Sequence, residues 1–533
     1  MNNENSIRSI VRTGILALVG AFGTFGAAPA LAAADGEALL RTTCTACHAE
    51  AGGTISRISG QRKSPEGWQM TITRMQTLHG VQLTPEDKRA LIKHLADTRG
   101  LAPGEAAPWR YLLEHDNNRV EQIAEAYAPM CARCHSGARF GLQRRSAQEW
   151  ELLVHGHMGL NPTLELHSMA RDRPWFKLAL EQIAPALARD FPLESQAWRD
   201  WQAAAKPALG GSWRIVGQLP GKGEFEGRMT ATPLGQDRFA LRIDGHHADG
   251  RPLGGEGSAT VYTGYEWRAS VNIDGVALRQ VMAADAQGRT MSGRLHLADS
   301  RRVGATLNAV KEGATPQLVA VMPAHLRQGE TAVLTLVGSR LDGAVNLGRG
   351  VRVLEVLARS ADRIVVRARA SGPVGLRDLA VGRARGQGML AVYDRIARIE
   401  VEPAQAIARI GGPGDSQLPK VGVAYRALGY AAGADGIAGT ADDLPLGTVP
   451  VRWSIAPLDE AAAHERDHEF AGTIDANGLF TPADAGPNPA RARSANNVGR
   501  LAVLATVGEG EHAVAGRGSL NVAVPDFVER ALD

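Results

Sequence analysis

The residues best suited to chemistry in this chain are Cys44, Cys47 and His48, because the spacing Cys-x-x-Cys-His returns at Cys131, Cys134 and His135. Two thiols at that spacing add across the two vinyl groups of one haem, and the adjacent histidine reaches the iron as proximal ligand. Each run therefore reads as a c-type haem attachment site, giving two covalently bound haem c groups. A Cys-x-x-Cys pair alone would also suit a disulfide or a zinc site, but here a histidine follows directly both times. The sequence holds 4 cysteines, all of them in the two motifs. Nothing is left for a separate disulfide, a thiol nucleophile or a four-cysteine metal site.

The motifs lie in two copies of one helical pattern. In the first, a short helix from Asp35 to Thr43 delivers the cysteines. A second begins at Ser64-Pro65-Glu66 and runs through Trp68 to about Leu78. A third starts at Thr84-Pro85-Glu86-Asp87 and carries Leu91, Ile92 and Leu95 on one face. The second copy predicts a helix from Val120 to Met130, one near Ser146 containing Trp150, and one near Trp175 to Leu187. Trp68 and Trp150 hold matching places and read as aromatics packed on haem. Seven residues on, two turns along the same helix face, stand Met75 and His157. These are the candidate sixth iron ligands, with His79 open as the alternative to Met75, and His155 or Met158 to His157. A thioether ligand raises the reduction potential and a second imidazole lowers it, so Met75 and His157 predict haems of unequal potential. His94, His115 and His167 read as surface or supporting residues.

At 533 residues the chain is several domains long. Its 44% hydrophobic and 22% charged content is that of a folded globular protein. A net charge of +3 without a long Lys/Arg run leaves nucleic-acid binding no electrostatic footprint. Arg8 and Arg12, an apolar run from Gly14 to Phe25 and the small residues Ala30-Leu31-Ala32 form a secretory signal over residues 1–32. The alternative is a membrane anchor, for which the run is shorter than the ~20 residues a span needs, and no later segment is apolar enough to cross. The expected location is the periplasm.

The fold expected is multidomain: an all-α dihaem cytochrome c domain over 33–205, followed by three all-β domains. These are an antiparallel β-barrel at 210–312 and immunoglobulin-like β-domains at 315–397 and 398–533. Short β-type runs such as Phe239–Ile243, Ser258–Tyr262 and Val333–Val337, separated by Asp-Gly and similar turns, carry that reading. Between Ala434 and Asp443, the carboxylates Asp435, Asp442 and Asp443 sit on a glycine-rich loop that suits Ca²⁺ or a solvated acidic turn; the spacing departs from an EF-hand. No Ser/His/Asp arrangement, phosphate-cradling loop or dinucleotide fingerprint is present in this half.

The order of parts resembles the α subunit of quinohemoprotein amine dehydrogenase over essentially the whole mature chain. The residues that carry the resemblance are the two Cys-x-x-Cys-His sites, Gln143-Arg144-Arg145, Glu149-Trp150, and the run Tyr262–Arg268. It implies a heterotrimer with a propeller subunit and a small subunit carrying cysteine tryptophylquinone. In it this chain passes electrons from the oxidative deamination of primary amines, through two haems, to a soluble acceptor such as azurin or a cytochrome c. The chain's own residues agree that deamination lies elsewhere, since no cysteine is free to crosslink to a tryptophan. A free-standing dihaem carrier and a dihaem peroxidase-like enzyme are the alternatives. Intact mass spectrometry under denaturing conditions is expected to show the mass of two haems on the chain, and of one after Cys44 and Cys47 are both changed to Ala.

Overall fold

The computed structural model describes residues 35–525 apart from 117, 413–415, 417, 434, 493–494 and 511–512; the signal expected at 1–32 lies outside them. Among the described residues no helix is long and apolar enough to cross a membrane.

The N-terminal unit is mainly helical. Asp35 caps Gly36–Thr43, Ser64 caps Pro65–His79, Thr84 caps Pro85–Thr98 and Ser146 caps Ala147–Leu160, each side chain accepting a first-turn backbone N–H. Two expectations are corrected here. The unit is not all-α: Glu50–Ala51 pairs with Thr54–Ile55, and Gln61–Lys63 pairs antiparallel with Gln143–Arg145. The helix expected over Val120–Met130 is reduced to Ala128–Cys131, because Pro129 suits only a first turn and Glu121 is drawn into bonds with Ser136 and Gly137. The last helical stretch changes character midway: Trp175–Leu178, a π turn at Ala179–Ile183, then Ala184–Asp190. Pro185 lacks the N–H an α-helix would donate to Glu181, and the loosened turn accommodates it.

The second ladder relates the two copies. Gln61-Arg62-Lys63-Ser64 and Gln143-Arg144-Arg145-Ser146 are equivalent segments, and their register sets Arg62 opposite Arg144, so the pseudo-two-fold axis runs between the two arginines. Two guanidinium groups facing each other out of water would repel. Glu105, from the linker between the copies and 8% exposed, joins them. Arg62 donates to its two carboxylate oxygens at 2.8 and 2.9 Å, and Arg144 Nε lies 3.2 Å away. Burial alone would raise this carboxyl, but the hydrogen bonds from Arg62 and the charges of Arg144 and Arg62 outweigh it and hold the group at about 2.

Residues 211–311 form a closed eight-stranded barrel in which each strand pairs with its sequence neighbour and Gly304–Lys311 closes onto Gly211–Leu219. Its interior is filled by Trp213, Phe225, Met229, Phe239 and Trp267 among others. The same core continues into the helical unit through Leu101, Ala106, Trp198 and Trp201. The turn between Pro252–Tyr262 and Glu266–Ile273 makes this joint. Thr263, 2% exposed and at φ 55°, donates its N–H to Asp97 at 2.7 Å and its hydroxyl to Ala96 O at 2.9 Å, and its carbonyl accepts from the Trp201 indole at 2.9 Å. A threonine held in the left-handed region is strained, and these three bonds hold it there. Tyr265 donates to Leu101 O, while Arg268 bridges Glu266 and Glu66 of the helix Pro65–His79.

Downstream, two four-stranded sheets share one apolar core between Gln317 and Tyr393. Residues 398–523 add sheets of three, four and three strands around a second core, with two short helices at Glu460–His464 and Asp467–Phe470.

Removing the Glu105 charge strands two buried arginines, so Glu105→Gln is expected to destabilise the helical unit by roughly 3–5 kcal/mol. A carboxyl lowered to about 2 from its ordinary 4.5 stabilises the fold fully above pH about 4.5 and loses that contribution as pH falls towards 2. Acid-unfolding curves of the variant should therefore lose the part of the pH dependence that lies in that window.

Candidate functional site

Each attachment motif follows a helical turn that turns one thiol inward. Cys44 packs half-buried beside Leu40, Ile55, Trp68 and Ile72, and Cys131 packs beside Tyr127, Trp150 and Trp175, while Cys47 and Cys134 are exposed. None of the four forms a disulfide. Burial pushes both inner thiols up, Cys131 to about 11.

At the second motif the two candidate ligands come together. The ring centroids of His135 and His157 lie 6.5 Å apart with the ring planes inclined by 33°. Metal–imidazole bonds of about 2 Å on each side separate two ring centroids by roughly 6 Å, so one iron fits between them. His135 Nδ1 pairs with Ser136 O at 2.9 Å and His157 Nδ1 with Leu153 O at 2.8 Å, which leaves each Nε2 available to a metal. Burial lowers His135 below its ordinary value, which keeps it neutral. Trp175 packs on His157 at 5.6 Å and donates its indole N–H to Met130 O at 2.9 Å. His155, in contrast, is exposed and packs edge-on to Phe176. Met158 is half-buried in the same apolar cluster.

At the first motif, His48 is half-buried and Met75 lies one helical turn beyond buried Ile72 and two beyond Trp68. It occupies the place on its helix that His157 occupies on the other. His79 ends the helix and is exposed. The two tryptophans are equivalent in detail as well: Trp68 is 2% exposed and donates to Arg99 O at 2.9 Å, Trp150 is 0% exposed and donates to Phe191 O at 3.2 Å. In both copies the accepting carbonyl follows the closing helix, so each indole ties ligand-bearing helix to closing helix.

Two supporting residues escape the sequence reading. Glu121 accepts from the Ser136 hydroxyl and from Gly137 N at 2.8 Å, fixing the loop whose carbonyl orients His135; it lies where a helix was expected. Glu105 is the other, and its only sequence signal is the repeated Gln-Arg run whose arginines it joins. Of the remaining histidines, His115 packs against His296 of the barrel, His94 is half-buried and His167 is exposed. In the loop that suits Ca²⁺, Asp443 pairs with Arg398 and accepts from Gly439 N, Asp435 accepts from Ile437 N, and Asp442 accepts from the Thr440 hydroxyl. Among the described residues no group of three or more His, Cys, Asp or Glu is gathered as metal ligands, and the bonds within the loop are those of an acidic turn; Ala434 lies outside the described residues.

Residues 34–198 match the family described as quinohemoprotein amine dehydrogenase A, alpha subunit, haem binding. Residues 206–312, 315–394 and 399–532 match domains II, III and IV of the same alpha subunit. No match is found among curated proteins. Solved structures with local similarity include a redesigned β-barrel, mFAP1, bound to DFHBI (18% identity, 20% of this chain and 94% of that one, TM-score 0.18). Another is protocadherin gamma B2 extracellular cadherin domains 1–5 (10% identity, 60% and 73%, TM-score 0.17). Neither bears on function.

His157→Ala is expected to open the iron at the second motif, so that the reduced protein binds carbon monoxide there, while His155→Ala leaves it closed. Met75→Ala should do the same at the first motif and His79→Ala should not. Carbon monoxide difference spectra of the four variants read this directly, and the reverse pattern would reassign the ligands.

Proposed function

The chain belongs to the quinohemoprotein amine dehydrogenase alpha-subunit family, and from that premise we propose that it is the electron-relay subunit of a periplasmic enzyme of that kind. In this reading it takes electrons from a cysteine tryptophylquinone on a small partner subunit, where primary amines are deaminated, and passes them to azurin or a cytochrome c. A propeller subunit completes the heterotrimer, and the sheet stacks after the barrel, read as immunoglobulin-like modules, are its docking scaffold.

The observation that carries the reading is the pair His135 and His157, set at the separation of two imidazoles on one iron with both Nδ1 atoms engaged. A haem c in each site would supply a one-electron carrier. Everything else is the work of this chain's side chains. With His135 and His157 both given to one iron, no coordination position would be left open for peroxide, which favours a carrier over a peroxidase-like enzyme. The carbonyls that hold the Nδ1 atoms would make the imidazoles better donors and lower the potential of a haem bound there, whereas a Met75 thioether would raise that of the other. Buried Trp68 and Trp150 exclude water from the space between ligand-bearing and closing helices. All four cysteines belong to the attachment motifs, so a Cys–Trp quinone belongs on another chain.

Anaerobic addition of a primary amine to the complex purified from its native periplasm is expected to reduce the haems when a small quinone-bearing subunit co-purifies. The isolated chain should stay oxidised under the same treatment. If the chain purifies alone and supplied partners do not change that result, the free-standing dihaem carrier is the better account.

A further inference from the structure

The pseudo-symmetry of the helical unit is broken by charge. Arg57, Lys63, Arg74 and Arg145 lie close enough to act on one another electrostatically, and Glu149 is the carboxylate set among them. Glu149 is already engaged: it accepts from Arg57 at 2.9 Å, from Gln61 at 2.7 Å and from Arg145 at 3.5 Å. Lys63 is 4% exposed, its ammonium lies 5.0 Å from the centre of the Trp68 ring, and it donates to the Thr71 hydroxyl at 2.8 Å. Among the described residues it has no carboxylate partner within ion-pair distance. A buried ammonium with one neutral acceptor is costly to keep.

The equivalent positions of the second copy lack this arrangement. Arg145 stands where Lys63 does, over the Trp150 ring, but it is paired with Glu149 and with the Gln143 side chain at 2.7 Å. Leu153 and Gly156 stand where Thr71 and Arg74 do, and Gly67 of the first copy stands where Glu149 does. Thr71 lies one turn before Met75 on the same stripe of the helix Pro65–His79. Arg57, in the loop after the first motif, is held at φ 65°, a strained conformation for a side-chain-bearing residue. A site that needs an anion has thus been assembled beside the first motif alone, on the helix face that carries the candidate axial ligand.

We infer that Lys63, steadied by Thr71, receives with Arg74 a propionate carboxylate of the haem attached at Cys44 and Cys47, and that these two cations raise the potential of that haem. The inference rests on the two-haem reading above. Three N–H donors on Lys63, one directed at Thr71, leave two for carboxylate oxygens. A fixed cation near the iron favours the reduced, less positive state, which adds to the effect of a thioether ligand there.

The test is a spectroelectrochemical titration of the full chain in its native complex, after the haem count per chain has been measured by alkaline pyridine assay. Lys63→Met is expected to lower one of two midpoint potentials by about tenfold in the reduction equilibrium, about 59 mV for a one-electron couple. The shifted haem should be the one that His157→Ala leaves unaltered. Arg74→Gln, at an exposed position that the fold tolerates, should move the same haem in the same direction by less, and Lys63→Arg should restore most of the potential. Two haems with both potentials unmoved in Lys63→Met and Arg74→Gln would make these residues structural cations and overturn the inference. If Lys63→Met does not fold, Arg74→Gln decides. Fewer than two haems on the unsubstituted chain would instead overturn the two-haem reading on which the inference stands.

Discussion

The carboxylate of Glu105 is the point on which the haem-binding unit turns. A duplicated domain that pairs its copies through equivalent strands brings equivalent side chains to the axis, and here those are arginines, Arg62 and Arg144. Like charges at an axis are intolerable without a counter-ion that belongs to neither copy. The linker supplies it, and Arg62 binds both oxygens of the group. Ser195 also donates to Glu105 at 2.8 Å, and Arg62 donates to Leu193 O, so the clamp gathers the linker, both strands of the Gln61–Lys63/Gln143–Arg145 ladder and the final helix of the unit at one buried spot.

Much of this architecture is legible in the sequence where the signal is local. The attachment motifs are short and self-contained. The offset of seven from Trp68 to Met75 and from Trp150 to His157 survives because both helices are regular over that span and each is capped by an equivalent serine, Ser64 and Ser146. Alternating strands in the barrel are visible for the same reason. What is hidden depends on distant partners. Closure of the barrel needs Gly304–Lys311 to find Gly211–Leu219, and nothing in either segment names the other. Glu105 is an unremarkable acidic residue until the two Gln-Arg runs are known to meet. The segment after Val120 misleads because Glu121 and Ile123 have the look of a helix face, yet Glu121 serves the loop after His135 and Ile123 packs against Gly137.

The barrel acts as the seat of the helical unit rather than as a container. Its interior is closed by large side chains, and its core runs on through the Tyr262–Glu266 turn into Trp198 and Trp201. The turn and the start of the next strand make the seat: Thr263, Tyr265, Glu266 and Arg268 each bond a residue of the helical unit or a neighbour that does. Burial pushes the Glu266 carboxyl up to about 7 against the pull of Arg268, so the joint holds one firm ion pair, Arg268 with Glu66, and one weaker acid beside it.

The short ladder of Gln61–Lys63 with Gln143–Arg145 has a kinetic meaning. Each of its strands runs directly into a ligand-bearing helix, and the clamp at its centre removes the freedom of one copy to slide or rotate against the other. The probability that an electron tunnels across a gap falls exponentially with the width of the gap. On the proposed two-haem reading, a spacer locked in this way would make the width between the two sites a constant of the fold, and internal transfer a wire rather than a swinging arm. Variation in rate is then confined to the outer surfaces where other molecules meet this one.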